Sequence, residues 1–273
     1  MSERPLWLKV GYYVAAVLLA LLAVGPALWL ANVALQPKSV GVSELTPVDQ
    51  WTDDNFVGAA KAGGIWRPML NSVIVTVAQA TLNVLLAALA AYPLARMRFR
   101  GRSTLFVIVL ATLMVPEQVI VVPLFVTISD LGLYDTLVAV FLPFSVTAFG
   151  IYLCRQAFLS VPRALEEAAR IDGADALRVW WHVMLPLIRP TLATLAVFSI
   201  IGAWSNLLWP LVVLQSDGNQ TLPVAINQLL SVFATEIRYA YAASVMALVP
   251  MVIVYLLMQR WLTKGLLAGA VKG

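Results

Sequence analysis

The sequence predicts an all-α integral membrane protein with six membrane-spanning helices and both termini in the cytoplasm. Three observations lead to this fold class: the composition, the apolar runs and the placement of basic residues. Hydrophobic residues make up 61% of the 273 positions and charged residues only 12%, whereas soluble domains average about 45–50% and about 25%. A single water-soluble domain is therefore excluded.

Each predicted span is an apolar run long enough to cross a bilayer core about 30 Å thick, which needs about 20 helical residues. The first run is about twice as long as the apolar part of a secretory signal, so we expect it to remain as an anchor. The third run contains Glu117. The six runs cover residues 10–35, 70–95, 104–128, 133–153, 187–214 and 240–262.

Basic residues set the predicted orientation, because Lys and Arg close to membrane spans are retained on the cytoplasmic side. Of the 18 lysines and arginines, only Lys38, Lys61, Arg67 and Arg238 fall on one side of the six spans. The others lie near the termini and in the connections after the second and fourth spans, which are therefore predicted to be cytoplasmic. The longest outer connection, 36–69, is expected to cap the spans or to contact an external partner.

Several kinds of chemistry are made improbable by what the sequence lacks. Cys154 is the single cysteine and His182 the single histidine, so no disulfide framework and no cluster for zinc or haem is expected. No Gly-x-x-x-x-Gly-Lys-Ser/Thr phosphate loop and no Gly-x-Ser-x-Gly nucleophile motif occurs. We therefore expect no cofactor, no metal and no catalytic residue in this chain. The few basic residues follow the spans and do not indicate nucleic acid.

The connection between the fourth and fifth spans, about 160–186, is more structured than a simple linker requires. It is predicted to form two short helices with a turn between them. Ser160 can cap the first helix, and Gly173 permits the left-handed backbone that ends it. Asp175 can cap the second helix, which is expected to end before Pro186 because proline disfavours helical geometry in the residue before it.

The residues of this loop resemble the EAA loop of ABC importer permeases. Glu167-Ala168-Ala169 is followed after three intervening residues by Gly173 and, after nine more, by Val-Met-Leu-Pro at 183–186. Asp172-Gly173-Ala174 resembles the carbohydrate-uptake branch, as in the second permease of maltose-type and glycerol-phosphate-type systems. The resemblance covers nearly the whole chain. It departs from the family pattern at Trp204, which is followed by Ser205 and then by Asn206 instead of directly by asparagine.

The resemblance implies a type I ABC importer permease, a single domain over 1–273, in a bacterial cell membrane. Its coupling helix would dock into a cleft of a partner ATPase, with Glu167 forming an ion pair and Gly173 forming the turn that enters the cleft. The alternative for the loop is an amphipathic helix lying on lipid. The residues implied at the ATPase interface are Glu167, Ala168, Ala169, Asp172, Gly173, Ala174, Leu185 and Pro186.

The implied partners are a homologous second permease, two ATPase subunits that bind ATP and Mg, an extracytoplasmic substrate-binding protein, and membrane lipid. The small residues Ala87, Ala88, Ala90 and Ala91 are expected to pack against the other permease. In this arrangement ATP hydrolysis belongs to the partner subunits, and this chain is not an enzyme.

A charged group at membrane depth usually faces protein or a wet path, so Glu117 and Gln118 are candidates for the substrate pathway. Pro116 and Pro123 are expected to break or kink this span. The alternative is a purely structural Glu117, protonated or bonded to a neighbouring helix. Trp204 and Asn206 are further pathway candidates. Polar span residues such as Asn71, Gln79 and Asn83 are better explained as interhelical hydrogen-bonding groups.

The function predicted from sequence is a permease subunit of an ATP-driven, binding-protein-dependent importer of a sugar or oligosaccharide. One alternative is an importer of glycerol 3-phosphate or a related phosphorylated polyol ester, for which the spans offer no clear cationic groups. A different class of alternative is an ATPase-independent secondary carrier or channel. Such a carrier would need an ionisable relay or repeated halves, and the sequence shows neither.

Overall fold

A computed structural model describes the backbone of residues 6–62, 64–232 and 237–270, and the side chains of 7–61, 64–231 and 237–259. Within these residues the chain is helical and contains no β-strand. The helices are α1 (Leu6–Ala34), α2 (Asp54–Ala62), α3 (Trp66–Arg96), α4 (Arg102–Thr112), α5 (Glu117–Asp130), α6 (Leu137–Phe141), α7 (Ala148–Ser160), α8 (Arg163–Ile171), α9 (Ala176–Val179), α10 (Leu185–Leu187), α11 (Arg189–Ser205), α12 (Leu208–Val213), α13 (Leu222–Val232) and α14 (Ile237–Ala270).

Three helices among the described residues are long and apolar enough to cross a bilayer, and they coincide with the first, second and sixth predicted spans. They are Trp7–Ala34 in α1, Trp66–Arg96 in α3 and Ile237–Gln259 in α14. Three bent helix pairs correspond to the other predicted spans. The count of six is reached if each pair crosses the membrane once. The predicted cytoplasmic termini lie at 1–5 and 271–273, outside the described residues.

The third predicted span is a sharply broken pair. Helices α4 and α5 meet at an angle of 101°, and Pro116 stands with extended backbone immediately before α5. The break expected from Pro116 is therefore confirmed. Pro123, in contrast, lies inside α5 without ending it, although its ring removes the hydrogen bond that an N–H at this position would make.

The fourth and fifth predicted spans are also bent. The segment Leu137–Phe144 joins α7 at 43°, and the segment Ala176–Leu187 joins α11 at 79°. The fourth helix pair begins at Leu137, four residues after the predicted start at 133, because Thr136 caps α6 by accepting a hydrogen bond from the Ala139 amide at 3.2 Å. The predicted fifth span, 187–214, is not one helix. Helix α11 ends at Ser205, and the short helix α12 follows it.

The chain divides into two compact units. The first contains Met1–Trp66 and Ala225–Val249. The segment between α1 and α2 is held by a buried amide side chain: Asn55 Nδ2 donates to the main-chain oxygens of Ala34 at 2.9 Å and Gln36 at 2.7 Å. Asn32 exchanges two hydrogen bonds with the main chain of Thr46, at 2.8 and 3.0 Å. Helix α1 itself presents exposed apolar side chains along its length, as expected for a helix surrounded by lipid or by another chain.

The second unit contains Arg67–Val224 and Pro250–Gly273, and its core has two main clusters. One cluster packs Val75, Ile128, Ala139, Val140 and Trp209 with neighbouring side chains. The other, which we call the α3–α7 cluster, joins these two helices to the loop before α11. Its buried members are Ala87, Ala88, Ala91, Tyr92, Ala95, Cys154, Phe158, Val161, Val179, Trp180, Met184, Ile188 and Leu195.

The small residues of α3 are used inside this chain. Ala87, Ala88 and Ala91 are at most 1% exposed and belong to the α3–α7 cluster. A Cβ atom added at Gly150 would lie 3.0 Å from the Ala87 Cβ, so α3 and α7 approach closely at this point. For these three alanines the expected contact with a second permease is therefore wrong, because α7 already occupies their face.

Asn83 is a hydrogen-bonding hub between helices, as its residue type predicted. Its Nδ2 donates to Ser199 Oγ on α11 at 2.7 Å. Its Oδ1 accepts from the amide of Thr147 at 2.9 Å and from the hydroxyl of the same residue at 3.1 Å. Since Asn83 is 2% exposed, these bonds replace water that the site excludes.

Candidate coupling site

The loop between α7 and α11 begins with helix α8. Pro162 precedes α8 and offers no side-chain cap, and Ser160 remains in α7, where its hydroxyl donates to the Ala157 oxygen at 2.8 Å. The predicted capping role of Ser160 is therefore wrong. The extended backbone of Val161 separates Ser160 from the first free amides of α8.

The turn after α8 is closed by backbone hydrogen bonds. Gly173 has φ +81°, which confirms the predicted left-handed conformation. Its amide donates to the Arg170 oxygen, and the Ala174 amide donates to the Ala169 oxygen, both at 3.0 Å. This is the Schellman pattern that satisfies the last carbonyls of a helix. No heavy atom lies within 4 Å of a Cβ built on Gly173, so the turn projects into open space.

The second helical segment starts as predicted but continues further. Asp175 Oδ1 accepts from the Arg178 amide at 2.7 Å and caps α9. The segment then passes through a π-helical turn, Trp180–Met184, into α10. The predicted end before Pro186 is wrong, because the π turn shifts the hydrogen-bonding register and places this proline in the first turn of α10, where its missing N–H matters least.

Glu166 is buried and connects the loop to α3. The residue is 7% exposed. Its Oε1 accepts a hydrogen bond from Tyr92 Oη at 3.0 Å and from Arg170 Nη2 at 2.8 Å. Its Oε2 lies 3.8 Å from Arg96 Nε, and the Arg96 side chain is 3% exposed. A carboxylate with three partners is stabilised where a lone buried charge is not.

Arg96 extends this connection to the preceding helix. Its Nη2 donates to the main-chain oxygens of Phe158 and Val161. One guanidinium therefore joins the end of α3, the end of α7 and the start of α8. This contact was not predicted from sequence. The signal that could have found it is spacing, since Tyr92 and Arg96 on α3, and Glu166 and Arg170 on α8, are each four residues apart and share a helix face.

The predicted interface residues divide into an outward set and an anchoring set. Glu167, Ala168, Asp172 and Gly173 are exposed, whereas Ala169, Ala174, Leu185 and Pro186 are half-buried. Ala169, Ala174 and Leu185 pack against the α3–α7 cluster. The loop also carries exposed apolar side chains, of which Ile171 is 86% exposed and Leu177 is 65% exposed. Exposed apolar side chains of this size mark a surface that contacts another protein or lipid.

A basic cavity of about 530 Å³ lies beside α8. Glu166 is already paired within it, so the remaining arginine groups give this surface an excess of positive charge. Its lining residues are Arg96, Met97, Arg98, Arg163, Glu166, Glu167 and Arg170. The described part of the chain contains no group of three His, Cys, Asp or Glu side chains that could hold a metal ion.

The four predicted pathway residues are not equivalent in the structure. Glu117 and Gln118 are exposed on the first turn of α5, directly after the 101° break. Trp204 is 7% exposed. Asn206 follows α11 and accepts a hydrogen bond from the Trp209 amide at 3.3 Å, so it caps the next helical turn.

A second polar cluster ties the turn before α6 to the segment before α13. The Asp135 carboxylate accepts hydrogen bonds from the Ser216 hydroxyl, from the Gln215 amide at 2.8 Å and from the Ser216 amide at 3.0 Å. These donors, led by the Ser216 hydroxyl, hold the pKa of Asp135 below its usual range. Nearby, Asn71 Nδ2 donates to the oxygens of Gly218 and Gln220 at 3.0 and 2.9 Å.

The chain is similar in sequence to known transport proteins. A family model described as "Binding-protein-dependent transport system inner membrane component" matches residues 83–267, a region that includes the whole loop at about 160–186, which we call the coupling loop after its predicted role. The chain is 36% identical over 260 residues to an arabinooligosaccharides transport system permease protein of Halalkalibacterium halodurans, covering 93% of each chain. It is 34% identical over 222 residues to the sn-glycerol-3-phosphate transport system permease protein of Yersinia pestis, covering 79% of each chain.

The fold also matches a solved structure. The crystal structure of a bacterial ABC transporter involved in the import of the acidic polysaccharide alginate contains a chain that superposes with a TM-score of 0.83. That chain is 27% identical to this one, and the match covers 95% of this chain and 99% of the other.

Proposed function

Since the chain belongs to the family of inner-membrane components of binding-protein-dependent transport systems, we propose that it is the permease subunit of an ATP-driven carbohydrate importer. The observation that carries this proposal is the α8 turn, which is closed by backbone bonds, projects Gly173 into open space and presents Glu167 outward. A rigid, exposed element of this kind is suited to receive a displacement from a partner.

The proposed partners follow from this role. Glu167, Ala168, Asp172 and Gly173 supply the contact with an ATPase subunit, while Ala169, Ala174, Leu185 and Pro186 anchor the loop. A homologous permease, two ATPase subunits binding ATP and Mg, and an extracytoplasmic substrate-binding protein complete the assembly in the inner membrane. Both termini then lie in the cytoplasm. ATP-driven closure of the ATPases displaces the loop and turns the spans outward, and hydrolysis resets them.

A carbohydrate is the proposed solute class. One relative carries arabinooligosaccharides in its name and the structural match belongs to an alginate importer. The glycerol-phosphate relative supports the alternative of a phosphorylated polyol ester. The described spans offer no cluster of cationic side chains at membrane depth to receive such a phosphate, so carbohydrate is the better supported class.

For the solute pathway we propose Glu117 and Gln118 as the contributing groups. They are exposed on the first turn of α5 at a helix break, and broken helices at membrane depth are tolerated where they line protein or a water-filled cavity. We assign Trp204 and Asn206 a supporting role in the pathway, since Trp204 is buried and Asn206 caps a helical turn. The variant Glu117→Gln is expected to lower solute uptake while leaving ATP hydrolysis by the complex intact.

The coupling role is tested on the complex purified through a tag on this chain and reconstituted in liposomes with its binding protein. ATP-dependent uptake is measured with arabino-oligosaccharide, alginate oligosaccharide and glycerol 3-phosphate. Gly173→Asp is expected to abolish uptake and stimulated ATP hydrolysis. Gly132→Asp is the matched control, because Gly132 also has a positive φ, +69°, with no atom near its missing Cβ, but lies outside the coupling loop.

Equal activity in the two glycine variants would contradict the coupling assignment. Purification of the chain alone, without an ATPase, under conditions that preserve complexes would instead favour an ATPase-independent carrier or channel. Uptake of glycerol 3-phosphate and of neither oligosaccharide would replace the proposed solute class.

A further inference from the structure

Two adjacent carboxylates of α8 face different surroundings. Glu167 is exposed and is available to a partner. Glu166 is 7% exposed and is bound by groups of its own chain. Neighbouring residues of an α-helix point about 100° apart, so one short helix can contact a partner with the first side chain and its own membrane span with the second.

The contacts of Glu166 fall on the last turn of the long apolar helix α3. Tyr92 Oη donates to Glu166 Oε1 at 3.0 Å, and Arg96 Nε lies 3.8 Å from Oε2. Arg170, one turn further along α8, donates to Oε1 at 2.8 Å and so holds the carboxylate in place from within its own helix. Tyr92 also packs edge-on against Phe158 of α7, with ring centroids 5.6 Å apart.

This arrangement differs from apolar packing in its directionality. Apolar side chains can slide past one another, but a carboxylate leaving Tyr92 and Arg96 would leave the buried Tyr92 hydroxyl without its acceptor and the Arg96 charge without its counter-ion, which is costly. The contact therefore transmits both a push and a pull between α8 and α3. The outward set of residues can receive motion, and an inward polar contact of this kind can pass it to the span with less sliding than the apolar contacts of Ala169, Ala174 and Leu185 allow.

We propose that Glu166, with Tyr92 and Arg96 as its partners, is the positioning residue that transmits movement of α8 to α3. This inference rests on the proposed function and adds to it a residue that does not contact the ATPase. It predicts that weakening the contact uncouples the two activities of the complex: ATP is still hydrolysed, but less solute is moved for each ATP.

The test uses the full complex in liposomes and measures solute imported per ATP hydrolysed. Glu166→Gln keeps the shape of the side chain and removes its charge, and Tyr92→Phe removes one hydroxyl without altering the packed ring. Tyr152→Phe is the matched control, because Tyr152 lies on α7 and its hydroxyl has no hydrogen bond among the described residues. The amount of ATPase that co-purifies and the KM for ATP report whether assembly is intact.

Because hydrogen bonds to charged groups are worth more than neutral ones, we expect Glu166→Gln to lower the solute-to-ATP ratio roughly three- to ten-fold. Tyr92→Phe should lower it roughly two- to five-fold, with assembly and the KM for ATP unchanged. The Tyr152→Phe ratio should equal that of wild type. If the Glu166→Gln complex fails to assemble, the Tyr92→Phe ratio decides the matter.

The proposal is overturned if Tyr92→Phe and assembled Glu166→Gln complexes keep the wild-type ratio, or if Tyr152→Phe lowers the ratio equally. If the wild-type complex imports solute and the variants have the same solute-to-ATP ratio, only the positioning role is contradicted. A wild-type complex that shows no ATP-driven import contradicts the proposed function as well.

Discussion

Replacing Asn83 by alanine should measure how much interhelical hydrogen bonding stabilises this chain. The substitution removes three hydrogen bonds, at 2.7, 2.9 and 3.1 Å, that join α3 to Ser199 and Thr147. Side-chain hydrogen bonds inside membrane proteins contribute about 0.6 kcal/mol each on average. The free energy of unfolding should therefore fall by about 2 kcal/mol, and more if the Thr147 amide stays unpaired.

The assay is equilibrium unfolding of the purified chain in mixed micelles, driven by increasing SDS. Ser199→Ala should cost about 0.6 kcal/mol, since it removes one of the three bonds. When Ser199 is already alanine, the further change Asn83→Ala should cost about 0.6 kcal/mol less than it does in the wild type. This difference measures the bond between Asn83 and Ser199 alone. Ser205→Ala is the control, because among the described residues the Ser205 hydroxyl bonds only to the Ile201 oxygen of its own helix, at 2.7 Å.

The reasoning is refuted if Asn83→Ala costs no more than the Ser205→Ala control. That result would mean that the unfolded chain in micelles satisfies the same groups equally well, so that the bonds specify helix register without adding stability. If the losses of unfolding free energy in Asn83→Ala and Ser199→Ala simply add in the double variant, the bond between Asn83 and Ser199 contributes nothing to the loss measured for Asn83→Ala.

Three further predictions concern stability and pH. Gly150→Ala should lower the free energy of unfolding by about 1 kcal/mol, as crowding against Ala87 exceeds the gain in helix propensity, measured by the same titration. Trp209→Phe should cost about 1–3 kcal/mol, since the indole is fully buried and donates to the Ala139 oxygen at 2.9 Å; an unchanged midpoint would contradict this. The lowered pKa of Asp135 means that its carboxylate stabilises the fold above the ordinary aspartate pKa of about 3.9 and that this contribution is lost as pH falls through the lowered value. The thermal midpoint of the wild type should therefore fall more steeply on acidification than that of Asp135→Asn, and parallel curves would show that this tether is not coupled to stability.

The sequence predicts the features of the coupling loop that depend on local chemistry. Gly173 adopts the expected left-handed backbone because a residue without Cβ is suited to end a helix there. Asp175 caps α9 because a short acidic side chain reaches the free amides of the next turn. Pro116 breaks the third span because proline lacks an N–H and its ring clashes with the preceding helical turn. Each of these outcomes follows from one residue and its immediate neighbours.

The features that sequence did not predict depend on contacts between distant segments. Glu166 and Glu167 are adjacent residues of the same type, and only the packing of α8 on α3 decides that Glu166 is buried and Glu167 is exposed. The alanines of α3 allow close contact with any helix, and the sequence alone does not indicate that the contacting helix is α7. The π turn before Pro186 is a compromise between proline and a helix anchored at both ends, which no local rule prescribes.

The coupling loop therefore combines rigidity along its length with one directional attachment. The Schellman closure at Gly173 and the cap at Asp175 satisfy the backbone groups on both sides of the turn, so a displacement applied at Glu167 moves the turn and α8 together. Ala169 anchors the same helix on the α3–α7 cluster, but apolar contacts alone resist sliding weakly. The carboxylate of Glu166 adds the missing resistance, because moving it away from Arg96 exposes a charge that the core cannot solvate. Movement of the turn without movement of α3 is thus the costly outcome.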